Sequence, residues 1–159
     1  MKRIILLFCI SFLMLSGCSN KALKVDAEAS QIVFIKDHDI LTVSVVTKNE
    51  STSQPESFQI KIEFSDEKLQ NILQSKTFLV GEDLVPTDDE GHIYEVKKGG
   101  EIVGGSSFDI DGDISSNELK EIVSKHNSIK VILLDDDGKP ITSEYIHNFT
   151  ETNSGQKPY

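Results

Sequence analysis

Apolar residues in this chain recur mainly at every second position, the period of a strand with one buried face. The clearest case is Phe58, Ile60, Ile62 and Phe64, which alternate with Gln59, Lys61 and Glu63. Ile40 to Lys48 (ILTVSVVTK) sets Leu41, Val43 and Val45 on one face, and Ile32 to Lys36 is a short β-rich run. Thr77 to Val80 and His92 to Val96 predict shorter strands on either side of an acidic loop through Asp88, Asp89, Glu90 and Gly91. Glu101 to Val103 and Phe108 to Ile114 predict two more, flanking Gly104-Gly105-Ser106-Ser107. Ile129 to Leu134 and Ile141 to Phe149 lie around Asp136-Asp137-Gly138-Lys139-Pro140, a strong hairpin turn.

Two segments break this period. Ser65 is placed to cap a short helix in which Leu69, Ile72 and Leu73 share a face. Ser115 and Glu118 form a capping box ahead of Leu119, Ile122 and Val123. The two segments match as S-x-x-[KE]-L-x-x-I-[LV] at an offset of fifty residues, which leaves a duplicated strand–helix–strand unit open. Many short strands with little helix predict an all-β fold, an antiparallel immunoglobulin-like β-sandwich with two short helices. An α+β fold with two helices on one antiparallel sheet is the alternative.

The first residues follow another rule. Lys2 and Arg3 precede an apolar run from Ile4 to Leu15, too short for a membrane span and shaped like an export signal. Leu15-Ser16-Gly17-Cys18 closes it and resembles the lipobox of bacterial lipoproteins. The resemblance implies a signal peptide over 1–17, cleavage before Cys18, and lipidation of the Cys18 thiol. The expected location is the extracytoplasmic face of a cell membrane, with the membrane bound through that lipid. Residues 18–30 then read as a flexible tether, 31–149 as the folded domain and 150–159 as a disordered tail. The whole layout looks like small immunoglobulin-like surface lipoproteins, a likeness of architecture that rests on no diagnostic motif.

Charge narrows the partners. The chain carries 26 acidic and 16 basic residues, a net charge of −10, and Arg3 is its only Arg. A removed signal would take Lys2 and Arg3 with it, leaving the remainder more acidic still. Nucleic acid and anionic headgroups are repelled by such a surface, so nucleic acid is excluded as a partner and an envelope protein or wall component is expected. Both cysteines, Cys9 and Cys18, fall outside the domain, so no disulfide is expected to hold it. The chain contains no Trp, which disfavours a platform that stacks on sugar rings.

One motif carries chemistry. Ser107 to Glu118 (SFDIDGDISSNE) resembles the EF-hand calcium loop, with Asp109, Asp111, Gly112 and Glu118 at matching positions. Ser107 replaces the leading Asp, and Val103-Gly104-Gly105-Ser106 is no incoming helix. In the plainer reading, Asp109, Asp111 and Asp113 line the wet side of a strand on which Phe108 and Ile110 point inward. Gly112 then marks a bend and Ser115 a cap. The histidines His38, His92, His126 and His147 are scattered without metal-ligand spacing, and Ser106 and Ser107 form no nucleophile elbow. A small hydrolase and a transporter's substrate-binding subunit are disfavoured by the missing motif and the short chain. The expectation is a non-catalytic surface module without cofactor that binds a partner. Calcium-dependent binding through Ser107–Glu118 is the alternative.

Overall fold

The computed structural model describes residues 22–51, 56–81, 91–125 and 127–154. In chain order they form β1 (Leu23–Ile35), β2 (Ile40–Asn49), β3 (Glu56–Phe64), α1 (Glu67–Ile72), β4 (Thr77–Leu79) and β5 (Tyr94–Val96). Then come β6 (Glu101–Asp109), α2 (Ser116–Ser124), β7 (Ile129–Leu134), β8 (Pro140–Ile146) and β9 (Phe149–Thr152). Two sheets enclose one core. Sheet I has the order β6-β2-β1-β9, and sheet II the order β4-β3-β7-β8 with β5 also paired to β3. The architecture is therefore all-β in two layers, with two short helices.

The alternation read from the sequence is what fills the core. Leu41, Val43 and Val45 of β2 and Phe58, Ile60, Ile62 and Phe64 of β3 are all at most 1 % exposed. Each such side chain contributes about 1.5–3 kcal/mol by leaving water. Phe108 of β6 packs edge-on against Phe64 of β3, ring centroids 5.2 Å apart, and so joins the layers.

Both helices lie at one end of the sandwich. Phe64 pairs with Ile129 at the rim of sheet II, and Asp109 pairs with Ile40 at the same rim of sheet I. α1 leaves β3 and α2 leaves β6 at that rim. Leu69 and Ile72 of α1 and Leu119, Ile122 and Val123 of α2 are buried there. The helices thus plug one end rather than cover a sheet. The opposite, basal end is where Leu23 meets Asn49 and the Asn49 N–H donates to the Gly100 carbonyl.

Several sequence expectations change. Leu23 to Ser30, expected in the tether, is the first half of β1. It pairs with Val46 to Asn49, and the ladder shifts register between Asp26 and Gln31. The side chain of Asn148 secures that irregularity by donating to the carbonyls of Ala27, Glu28 and Ser30. Thr150 to Thr152, expected in the tail, pair parallel with Val33 to Ile35. The expected strand from Ile141 to Phe149 divides at His147-Asn148, so β8 lies in sheet II and β9 in sheet I. Glu101 to Asp109 is one unbroken strand rather than two, because the glycines at its centre give neighbouring side chains room. The cap of α1 is Asp66, whose carboxylate accepts from the Lys68 and Leu69 N–H groups. Ser65 still extends the sheet, with its N–H donating to the Ser128 carbonyl. Ser115 does cap α2. β3–α1–β4 stays within sheet II whereas β6–α2–β7 crosses from sheet I to sheet II, so the matched segments are not equivalent units. Cys18, the Asp88–Glu90 loop, His126 and 155–159 lie outside the described residues.

Candidate interaction surface

The calcium-like segment is pulled apart by the fold. Ser107 and Asp109 stand on extended β6, opposite Thr42 and Ile40. The Ser107 hydroxyl lies 2.9 Å from that of Thr42. After Asp109 the chain leaves the sheet, the Asp111 N–H donates to the Ile72 carbonyl, and Gly112 bends at φ +115°. Glu118 does not close a loop, since its carboxylate meets the Lys68 ammonium of α1. Among the described residues, no three His, Cys, Asp or Glu side chains gather as a metal site. At the β7–β8 turn, Asp135 accepts from the Asp137 and Lys139 N–H groups, Asp136 from Ser57, and Asp137 pairs with Lys139. These carboxylates hold the turn. His38, His92 and His147 are exposed and stand on separate stretches.

A different feature emerges from the registers. On the outer side of sheet I, Val33 of β1 lies beside Thr42 of β2, and Thr42 lies beside Ser107 of β6. The next row is Gln31, Ser44 and Gly105, and the row after it brings Val46 against Val103. Thr150 and Thr152 extend the face on β9, beside Val33 and Ile35. Asp26 of β1 completes the Val46 row, so the rows free of charge are those of Val33 and Gln31. Lys24, Lys48 and Glu101 follow at the basal end and Asp109 at the other. Val103 is 62 % exposed, unusual for a large apolar side chain in the middle of a strand.

The basal rim of this face is fixed by ion pairs. Lys48 meets Asp26 at 2.5 Å and Lys24 meets Glu50 at 2.5 Å. The Lys48 ammonium, with the Ala29 N–H, holds the Asp26 carboxyl below its ordinary value, and Asp26 raises Lys48 in return. At the far rim the hydroxyl and N–H of Ser154 donate to Asp37 and hold its carboxyl low.

β6 ends sheet I among the described strands. Its centre is guarded from the other sheet. A Cβ on Gly104 would stand 2.6 Å from Ile60 Cδ1 and 2.8 Å from the Tyr94 ring. A Cβ on Gly105 would strike the Val43 carbonyl oxygen. The glycines therefore let Tyr94 lie across the strand, with its ring and hydroxyl against Gly104. Burial pushes the Tyr94 phenol above its ordinary value, and the backbone at Gly105 offsets part of the rise. The strand alternation of β2 shows Thr42, Ser44 and Val46 on one side, but the sequence does not reveal that β6 and β9 extend the same face. Tyr94 gave no signal at all.

No family model matches the chain, and no curated protein matches it. Among solved structures it is similar to an alkylpurine DNA glycosylase of Pseudomonas fluorescens bound to DNA with an abasic-site analogue, at 9 % identity and a TM-score of 0.39. That alignment covers 81 % of this chain and 31 % of the other. A β-glucosidase of Listeria innocua with isofagomine aligns at 12 % identity and a TM-score of 0.32, over 82 % of this chain and 16 % of the other. The chain thus spans under a third of either protein's length, and likenesses this distant carry no argument about its role.

Proposed function

We propose that this protein is a lipid-anchored, extracytoplasmic binding module built on an immunoglobulin-like sandwich. The strand order supports the fold assignment. β1, β2 and β6 follow each other as strands A, B and E of an immunoglobulin sheet, and β4, β3, β7 and β8 follow as C′, C, F and G. The basic start, apolar run and Leu15-Ser16-Gly17-Cys18 support the anchor.

The observation that carries the binding role is the charge-free centre of the outer face of sheet I, the rows Val33–Thr42–Ser107 and Gln31–Ser44–Gly105, beside the exposed Val103. A solvated sheet in a chain with 26 % charged residues has every opportunity to place Lys and Glu there, as sheet II does. A neutral strip of Thr, Ser and Val between charged rows suits contact with another macromolecule more than contact with water.

The anchor is tested by intact mass and membrane fractionation of the expressed chain. The expected product begins at Cys18, carries the mass of a lipid, and stays with membranes. Cys18→Ala is expected to keep its signal and gain no lipid. An unmodified polypeptide mass for the wild type sinks this reading.

A further inference from the structure

We infer that β9 is a releasable strap, which swings away from β1 as a unit while the two-sheet sandwich stays folded. Such a motion needs neither the lipid anchor nor a binding partner.

Little holds β9 in place. It has four residues, and among the described strands it pairs only with β1, in parallel. Parallel pairing is the less stable kind per residue. Phe149 packs against the core, while Thr150 and Glu151 are exposed and Thr152 is half-buried. The side-chain ties at this rim also lie in water. Glu151 meets Lys36 at 3.4 Å, and the Ser154 N–H donates to Asp37 at 2.8 Å, joined by the Ser154 hydroxyl. Exposed ties of this kind add little.

The elements on either side are fastened without β9. β1 pairs with β2 along both of its halves, and β8 pairs with β7 from Pro140 to Ile146. Ile146, the last residue of β8, is 1 % exposed. Asn148 marks the hinge. Its side chain is tied to the carbonyls of Ala27, Glu28 and Ser30, and its own carbonyl accepts from the Ile32 N–H. The part free to leave β1 therefore begins at Phe149. Segments with few buried contacts open at free energies well below that of global unfolding.

Release changes what sheet I presents at this edge. β9 is a short edge strand that carries an acid, a form that resists pairing with other chains. Once β9 has left, β1 is the edge, and Ile32 to Ile35 offer unpaired backbone beside the space vacated by Phe149. β9 is thus a cover over a longer and more apolar strand.

The test is residue-resolved hydrogen exchange of the full chain in mild detergent, with and without low urea. The Lys36 N–H, which donates to the Thr152 carbonyl, reports the strap together with the β9 amides. The amides of β7, which runs between β3 and β8, report the sandwich. Lys36 and β9 are expected to share one protection factor, at least a hundredfold below that of β7 and unmoved by urea. The Ile32 N–H, on the sandwich side of the hinge, is expected to stay slow. Ile62→Val, buried in the other sheet, is expected to speed β7 exchange about fivefold and leave Lys36 unchanged, because it weakens the closed and released forms alike. Equal protection of Lys36 and β7 overturns the strap, as does a Lys36 amide that speeds with β7 in Ile62→Val. A gradient of protection within β9 also overturns it, since that is fraying from the end, and so does an Ile32 amide as fast as Lys36.

Discussion

The two outer sheet faces of this molecule are made from the same alternating pattern yet meet water differently. On sheet II, Lys61 pairs with Glu63 at 3.0 Å, and the Lys130 ammonium sits 5.8 Å from the centre of the Tyr145 ring. Long charged side chains there lie over the apolar surface of β7, where Ile132 is only 8 % exposed. On sheet I the corresponding positions are short: Thr42, Ser44, Val46, Gly105 and Ser107. The long charged side chains of this face are gathered at its basal end, where Lys48 reaches Asp26, and Val103 stands in the open. One face is finished by its own side chains, and the other is left for something to cover.

The largest way to break the contrast is to disturb β6. Gly104→Val drives a branched side chain into Ile60 and Tyr94, and is expected to cost about 3 kcal/mol in urea unfolding. A midpoint unchanged from wild type would mean that Tyr94 does not lie across the strand. Next comes Thr47, fully buried on the inner side of β2, whose hydroxyl has no hydrogen-bond partner among the described residues. Thr47→Val removes an unpaired polar group and is expected to stabilise by about 1 kcal/mol, whereas the partnered hydroxyls outside give no such gain. A destabilised Thr47→Val protein would show that the hydroxyl is satisfied after all.

A smaller, pH-dependent effect belongs to the rims of sheet I. Asp26 and Asp37 have folded values below their unfolded one, near about 3.9. Their contribution is complete above that value and is lost as pH falls through the lower folded values. Asp37→Asn is expected to flatten the acid limb of the stability curve, read from urea midpoints between pH 5 and about 2. Tyr94 and Lys48 are raised when folded, so their contribution is complete below the unfolded values and fades as pH climbs past them. The smallest change is expected on sheet II. Lys61→Ala removes a solvent-screened pair and should shift stability by less than about 0.5 kcal/mol. A larger loss would show that the charged face depends on that pair rather than on its stems.

Much of the sandwich was legible where burial enforces a period. β2, β3, β7 and the helix faces of Leu69–Ile72 and Leu119–Val123 follow directly from their apolar spacing. The turn from Asp135 to Lys139 follows from its residue types. Where pairing depends on distant partners, the sequence misleads. Leu23 to Ser30 looks like a polar tether because its outer positions are Lys24, Asp26 and Glu28, and only the partner strand and the Asn148 side chain hold it in a sheet. Gly104-Gly105 looks like a break because glycine usually ends a strand, and only the Tyr94 ring explains why it continues one. The acidic run of Ser107–Glu118 resembled a ligand loop since spacing alone does not distinguish a coil from a strand. The surface on sheet I was hidden for the same reason, as it is assembled from four strands far apart in the chain.

The parallel pairing of β9 with β1 has a mechanical consequence. β1 enters at the basal end and β9 leaves toward the helical end, so a pull on the two chain ends slides these strands past each other. The pairs from Ile32–Phe149 to Ile35–Thr152 then share the load together instead of opening one at a time. A domain held by its first strand and tugged by its last would resist as a whole before yielding, and a single-molecule stretch between the termini should meet that resistance as one abrupt peak.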